Sequence, residues 1–110
     1  MTSSRAARLA IVGLAVSIVF HLVAAVLAGF SQLMLQMLVA SAVYAGFIMG
    51  LMSGRRWVAW LAFVILPLGM IVAVWNATTL VGLLSTAFWA IVAADLVAIA
   101  GVFGVLWRNR

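Results

Sequence analysis

The sequence predicts an all-α fold, an integral membrane four-helix bundle with its N-terminus and C-terminus both on the cytoplasmic side. Three observations carry that expectation. Of the 110 residues, 70% are hydrophobic and 6% charged, a balance that leaves a small domain without the polar surface it needs in water. The apolar residues fall into continuous runs of about 20, the length that crosses a hydrocarbon core as a helix. Every arginine falls before the first run, at the break between the second and third, or after the last, the pattern of a chain threaded back and forth through a bilayer.

The spans follow from the breaks where polar and charged residues interrupt the runs. They cover residues 9–28, 33–53, 57–75 and 80–107, in one domain with no room inside it for a soluble unit. The first run follows Arg5 and Arg8 like the core of a secretory signal. Its apolar stretch is longer than such a core, so it is expected to be retained as a span. In the third, Pro67 predicts a kink rather than a stop, because neighbouring helices can satisfy the carbonyl it frees. The fourth run is long enough to tilt, or to begin nearer Ser85. Membrane strands would alternate apolar and polar residues over short segments, and these runs do not.

Orientation rests on Arg5 and Arg8 before the first span, Arg55 and Arg56 between the second and third, and Arg108 and Arg110 after the fourth. The connections around 29–32 and 76–79 carry no charge. The positive-inside rule therefore puts both termini and the Arg55-Arg56 turn in the cytoplasm. Trp57, Trp60 and Trp107 are expected at the inner interface, Trp75 and Trp89 at the outer one. The net charge of +5 reads first as this topology signal, with contacts to anionic lipid as a secondary use. It does not read as a nucleic-acid surface, since the arginines sit at helix ends rather than in one patch. The absence of cysteine removes disulfides and thiolate metal sites. With no lysine and no glutamate either, the composition suits the inner (plasma) membrane of a bacterium. Asn76-Ala77-Thr78 matches the glycosylation pattern, but its place in a short connection against the membrane argues against use.

Small residues and buried polar groups must hold such helices together, because lipid gives apolar surfaces little reason to associate. In the second span Ala42, Gly46, Gly50 and Gly54 recur every fourth residue and share one face. In the first, Gly13, Ser17, His21, Ala25 and Gly29 do the same. Each row is expected to pack within the bundle or to meet another membrane protein or a second copy of the chain.

Two ionisable groups lie deep in the spans, His21 and Asp95. Each is thirteen residues from an arginine, Arg8 and Arg108 respectively, which at about 1.5 Å per residue puts both near the middle of the bilayer. They are expected to pair where the first and fourth spans adjoin. A charged carboxylate in hydrocarbon costs about 2.5–3.5 kcal/mol on insertion scales, so Asp95 should face protein or water and be protonated or matched by His21. Ser17, Ser41 and Tyr44 are candidate neighbours. The pair reads either as a structural bond or as a proton-binding site.

Other chemistry has thin material. One histidine, one aspartate and one tyrosine without a second carboxylate do not make a catalytic constellation, and no enzyme is expected. Haem ligation by His21 would need a second axial ligand. Met34 with Met37 and Met49 with Met52 read as adaptable apolar filler rather than copper ligands. No cofactor or metal is expected.

The four-span layout and length resemble the small multidrug resistance transporters, dimers that exchange protons for substrate at a membrane-embedded acid; the likeness is one of architecture only and carries over no substrate site. Those transporters use a glutamate in the first helix, where this chain carries His21 instead. The Gly54-Arg55-Arg56-Trp57 turn followed by Trp60, with Asp95 in the last span, is similar to many uncharacterised small four-helix bacterial membrane proteins, and implies no activity. The leading expectation is a non-enzymatic protein acting through helix contacts, as an accessory subunit of a membrane complex or an immunity-type protein. The alternatives are a small oligomeric proton-coupled transporter or channel using Asp95 and His21, and a quinone- or haem-associated membrane anchor.

Overall fold

The computed structural model describes residues 5–108, so Arg110 lies outside the described residues. Four helices follow one another: α1 (Arg5–Ala28), α2 (Gln32–Met52), α3 (Arg56–Thr79) and α4 (Gly82–Arg108). No strand occurs among the described residues. All four helices are long and apolar enough to cross a membrane, and the bundle measures 42 × 20 × 18 Å.

The helices run beyond the apolar runs that mark them. α1 already begins at Arg5, and α3 continues to Thr79, so residues 76–79 are helical rather than a connection. Hydropathy marks the stretch that tolerates hydrocarbon, whereas helical hydrogen bonding persists into polar flanks. Here the Thr78 and Thr79 hydroxyls donate to the Trp75 carbonyl, and the Leu80 amide closes the last turn on Asn76. α3 passes through Pro67 without interruption. α4 starts at Gly82, three residues before Ser85.

Tight connections join the helices, and each has a glycine at positive φ in it or at its edge: Gly29 and Gly54 in the first two, and Gly82 as the first residue of α4. Gly54 shows why. The Gly54 amide bonds the Leu51 carbonyl and the Arg55 amide reaches the Gly50 carbonyl, a Schellman closure that requires a left-handed residue just past the helix. Ser31 opens α2 by accepting the Met34 amide, a side-chain cap.

α1 and α4 form the most extensive contact, α4 also packs on α3 and α1 on α2, and α2 and α3 touch only sparsely. The α1–α4 seam is antiparallel and close. A Cβ on Gly13 would stand 2.6 Å from the Ala98 amide nitrogen, and one on Gly101 would stand 2.3 Å from that of Ala10. Gly104 faces Ala6, where an added Cβ would stand 2.7 Å from the Ala6 Cβ. Small residues on both helices therefore allow near backbone contact, which strengthens dispersion and needs no bulky core.

The two cores lie end to end. One holds Leu14, Phe47, Leu66 and Val102; the other holds Met37, Phe88 and Ile91. The start of α1, the α2–α3 turn and the end of α4 share the first end of the bundle. There the Arg56 guanidinium donates to the Val105 and Leu106 carbonyls, satisfying orphan acceptors in the last turn of α4 and opposing its negative dipole end. Arg5, Arg8 and Arg55 are exposed at this end. Trp60, Phe63, Phe103 and Trp107 gather beside them on the outer surface of α3 and α4, with Phe103 and Trp107 stacked at 4.6 Å. Trp75 and Trp89 stand exposed toward the opposite end.

Candidate functional site

Asp95 is fully buried between the two cores. Ser17 of α1 donates its hydroxyl to Oδ1 at 2.7 Å, and Tyr44 of α2 donates its hydroxyl to Oδ2 at 3.0 Å. One carboxyl group on α4 thus ties three helices together, with one hydroxyl for each oxygen. Ser17 is wholly buried and Tyr44 nearly so, and no buried side-chain nitrogen or oxygen among the described residues lacks a partner. Such a network is favourable in an apolar interior only when fully satisfied.

The local sequence explains how the groups meet. Ser17 belongs to the small-residue edge of α1 that includes Ala10 and Gly13, so its short hydroxyl is carried into the seam directly opposite Asp95. Tyr44 reaches the same point from α2 because α3 presents Gly69 there, where a Cβ would stand only 3.3 Å from the tyrosine hydroxyl oxygen. Gly69 was not singled out by sequence pattern; a lone glycine after Pro67 carries no periodic signal.

His21 does not pair with Asp95, contrary to the sequence expectation. Its Nδ1 lies 2.7 Å from the Ser17 carbonyl oxygen and 3.3 Å from the Ser17 hydroxyl. A carbonyl only accepts, so Nδ1 carries the hydrogen and donates to it. The histidine joins the network through Ser17, and its ring stands edge-on to Tyr44 with centroids 5.0 Å apart. Ser41 is buried, but its hydroxyl turns back to the Met37 carbonyl of its own helix, a local bond open to any helical serine. It takes no part in the network.

The small-residue rows divide. Gly13 and Ala25 are buried, Gly13 in the α1–α4 seam. Gly29 is exposed in the turn after α1, with nothing within 4 Å of its added Cβ. Gly50 packs against Val58 of α3. Gly54 lies past the end of α2 and serves the turn rather than a helix face. Ala42 and Gly46 point out of the bundle, and a Cβ on Gly46 would meet nothing within 4 Å. The partner row on α4, Ala94, Ala98, Gly101 and Gly104, escaped the sequence reading although its three- and four-residue spacing is the same signal.

Where α2 and α3 separate, a cavity of about 220 Å³ opens on the flank of the bundle. His21, Tyr44 and Phe88 lie at its inner side, Gln36 and Ala40 belong to its α2 wall and Val72 to its α3 wall. Among the described residues no three His, Cys, Asp or Glu side chains come together in a way that could hold a metal ion.

Comparison with protein-family models, with curated proteins and with solved structures finds no match to this chain.

Proposed function

We propose that the chain is a multi-pass protein of a bacterial inner membrane that acts without catalysis, as an accessory subunit docking on another membrane protein through α2. The arginine-bearing end of the bundle would face the cytoplasm, with both termini, in keeping with the positive-inside rule. The bacterial assignment draws on composition alone.

The observation that carries the docking reading is the open surface around Gly46. A glycine inside a helix costs about 0.8–1.0 kcal/mol relative to alanine, and inside a bundle it is offset by close packing. Gly13, Gly50 and Gly101 have that compensation within the chain, and Gly46 has none. Beside the exposed Ala42 it leaves a small-residue surface on the outside of α2, of the kind that lets a second transmembrane backbone approach. The Asp95 network supports the same reading from the other side. With both oxygens engaged and no exposed surface, Asp95 serves to fix α1, α2 and α4 so that α2 presents this face.

The alternative of a proton-coupled transporter draws on the cavity that reaches His21. It requires Ser17 and Tyr44 to release Asp95 during each cycle.

The chain contains no cysteine, so Gly46→Cys supplies a single thiol for cross-linking in native membranes. We expect a short thiol-directed photocross-linker at this position to capture one different membrane protein in fixed ratio. The control Leu96→Cys, on an exposed part of α4, should capture none. Equal capture at the two positions would remove the basis for docking through α2. A linked homodimer from Gly46→Cys would replace the accessory reading with self-assembly.

A further inference from the structure

We infer that the cavity between α2 and α3 binds a membrane-soluble ring carrying a hydroxyl donor, a phenol or hydroquinone head group, with His21 Nε2 as the acceptor. This goes beyond the docking reading and does not depend on it. The first observation is the tautomer. Because Nδ1 donates to the Ser17 carbonyl, the neutral ring has its lone pair on Nε2. Among the described residues no hydrogen bond reaches Nε2, and no fully buried polar side-chain atom is left unsatisfied, so Nε2 retains some exposed surface. Nε2 is therefore the atom through which His21 keeps access to the cavity it lines.

The second observation is the shape and chemistry of the space. At about 220 Å³ it exceeds the roughly 150 Å³ of an engineered cavity that takes benzene, so it accommodates one substituted six-membered ring. Its walls include Met37, Val43, Val72 and Phe88. At the inner side of the cavity the Tyr44 hydroxyl proton is committed to Asp95, so the Tyr44 oxygen and His21 Nε2 there accept hydrogen bonds and offer no free donor, while Gln36 stands on the α2 wall. An apolar ring with a hydroxyl donor matches an inner end that offers acceptors and no free donor, in a chamber whose other lining is mainly apolar. The third observation is access. The opening lies on the side of the bundle where α2 and α3 hardly touch, so a ligand dissolved among lipid chains enters laterally without crossing either core.

The donor requirement makes the inference testable by redox form alone. A hydroquinone offers hydroxyl hydrogens, whereas the corresponding benzoquinone, of almost the same shape, offers only acceptors. With the chain in lipid nanodiscs, its one histidine gives an unambiguous pair of ring ¹⁵N signals. In the free protein Nδ1 should carry the proton and Nε2 should not. A short-chain alkylhydroquinone should shift the Nε2 signal saturably and bind about tenfold more tightly than its quinone, roughly the value of one buried hydrogen bond. His21→Phe should abolish this preference while the ring still binds weakly. Ala40→Leu, which narrows the chamber and leaves His21 in place, should weaken both forms. Comparing the tailless hydroquinone with a decyl-tailed one separates a small phenol from the head of a lipid-like quinol. A proton on Nε2 in the free protein, equal affinity for the two redox forms, or no saturable shift would overturn the inference.

Discussion

Gly101→Leu is expected to destabilise the bundle by more than about 3 kcal/mol, at the upper end of what overpacking costs. The reason is backbone against backbone. A Cβ at this position would lie 2.3 Å from the Ala10 nitrogen and 2.6 Å from its Cα, and neither atom can rotate away as a side chain could. α1 and α4 would have to separate along the seam that also holds Gly13 against Ala98, so the damage extends beyond one residue. The matched control is Gly46→Leu. It makes the same chemical change where nothing lies within 4 Å, and it improves helix propensity by several tenths of a kcal/mol. Unfolding titrations in mixed micelles should place the first variant far below wild type and the second within about 0.5 kcal/mol of it.

Asp95→Leu should cost about 2–4 kcal/mol, because it orphans two buried hydroxyls whose unmet desolvation is worth about 1–3 kcal/mol each. The two will not suffer equally. Ser17 can turn its hydroxyl to a carbonyl of its own helix, as Ser41 does, whereas Tyr44 is held against Gly69 with no such recourse. Asp95→Asn keeps one acceptor and should lose only about 1 kcal/mol, in line with hydrogen bonds measured in membrane bundles. The triple variant Ser17→Ala, Tyr44→Phe, Asp95→Leu removes donors and acceptor together and should recover much of the loss. If Asp95→Leu folded as stably as wild type, the network would not be a clasp. If Asp95→Asn kept its stability but lost a cellular function, the proton-carrying reading of Asp95 would replace the structural one.

Much of this was legible in the sequence, and the misreadings have geometric causes. Four helices could be counted because each needs its own apolar run. Ser17, Ser41 and Tyr44 could be named as neighbours of Asp95, the last two by depth, although depth did not tell Tyr44 from Ser41, which bonds its own helix. The expected His21–Asp95 pair failed because Arg8 and Arg108 are not level. Ala6 faces Gly104 and Ala10 faces Gly101, so α4 extends about a turn past the level of Arg8. Counting thirteen residues from each arginine therefore overshoots on α1 by one turn, and the residue opposite Asp95 is Ser17. Periodicity likewise put Ala42, Gly46, Gly50 and Gly54 in one row without saying which way the row faces. Gly54 belongs to the turn, Gly50 meets Val58, and the outward remainder is the face assigned to a partner. Gly69 was illegible because its importance lies in the room it leaves for a tyrosine from another helix, a relation that spacing along one helix does not record.

The most direct test of the docking claim is the mass of the particle extracted in native lipid, with identification of every protein in it, for wild type and Gly46→Leu side by side. The account predicts that wild type carries one different membrane protein in fixed ratio and that Gly46→Leu yields the folded chain without it. A lone chain from wild type, or an unchanged assembly from Gly46→Leu, would contradict it.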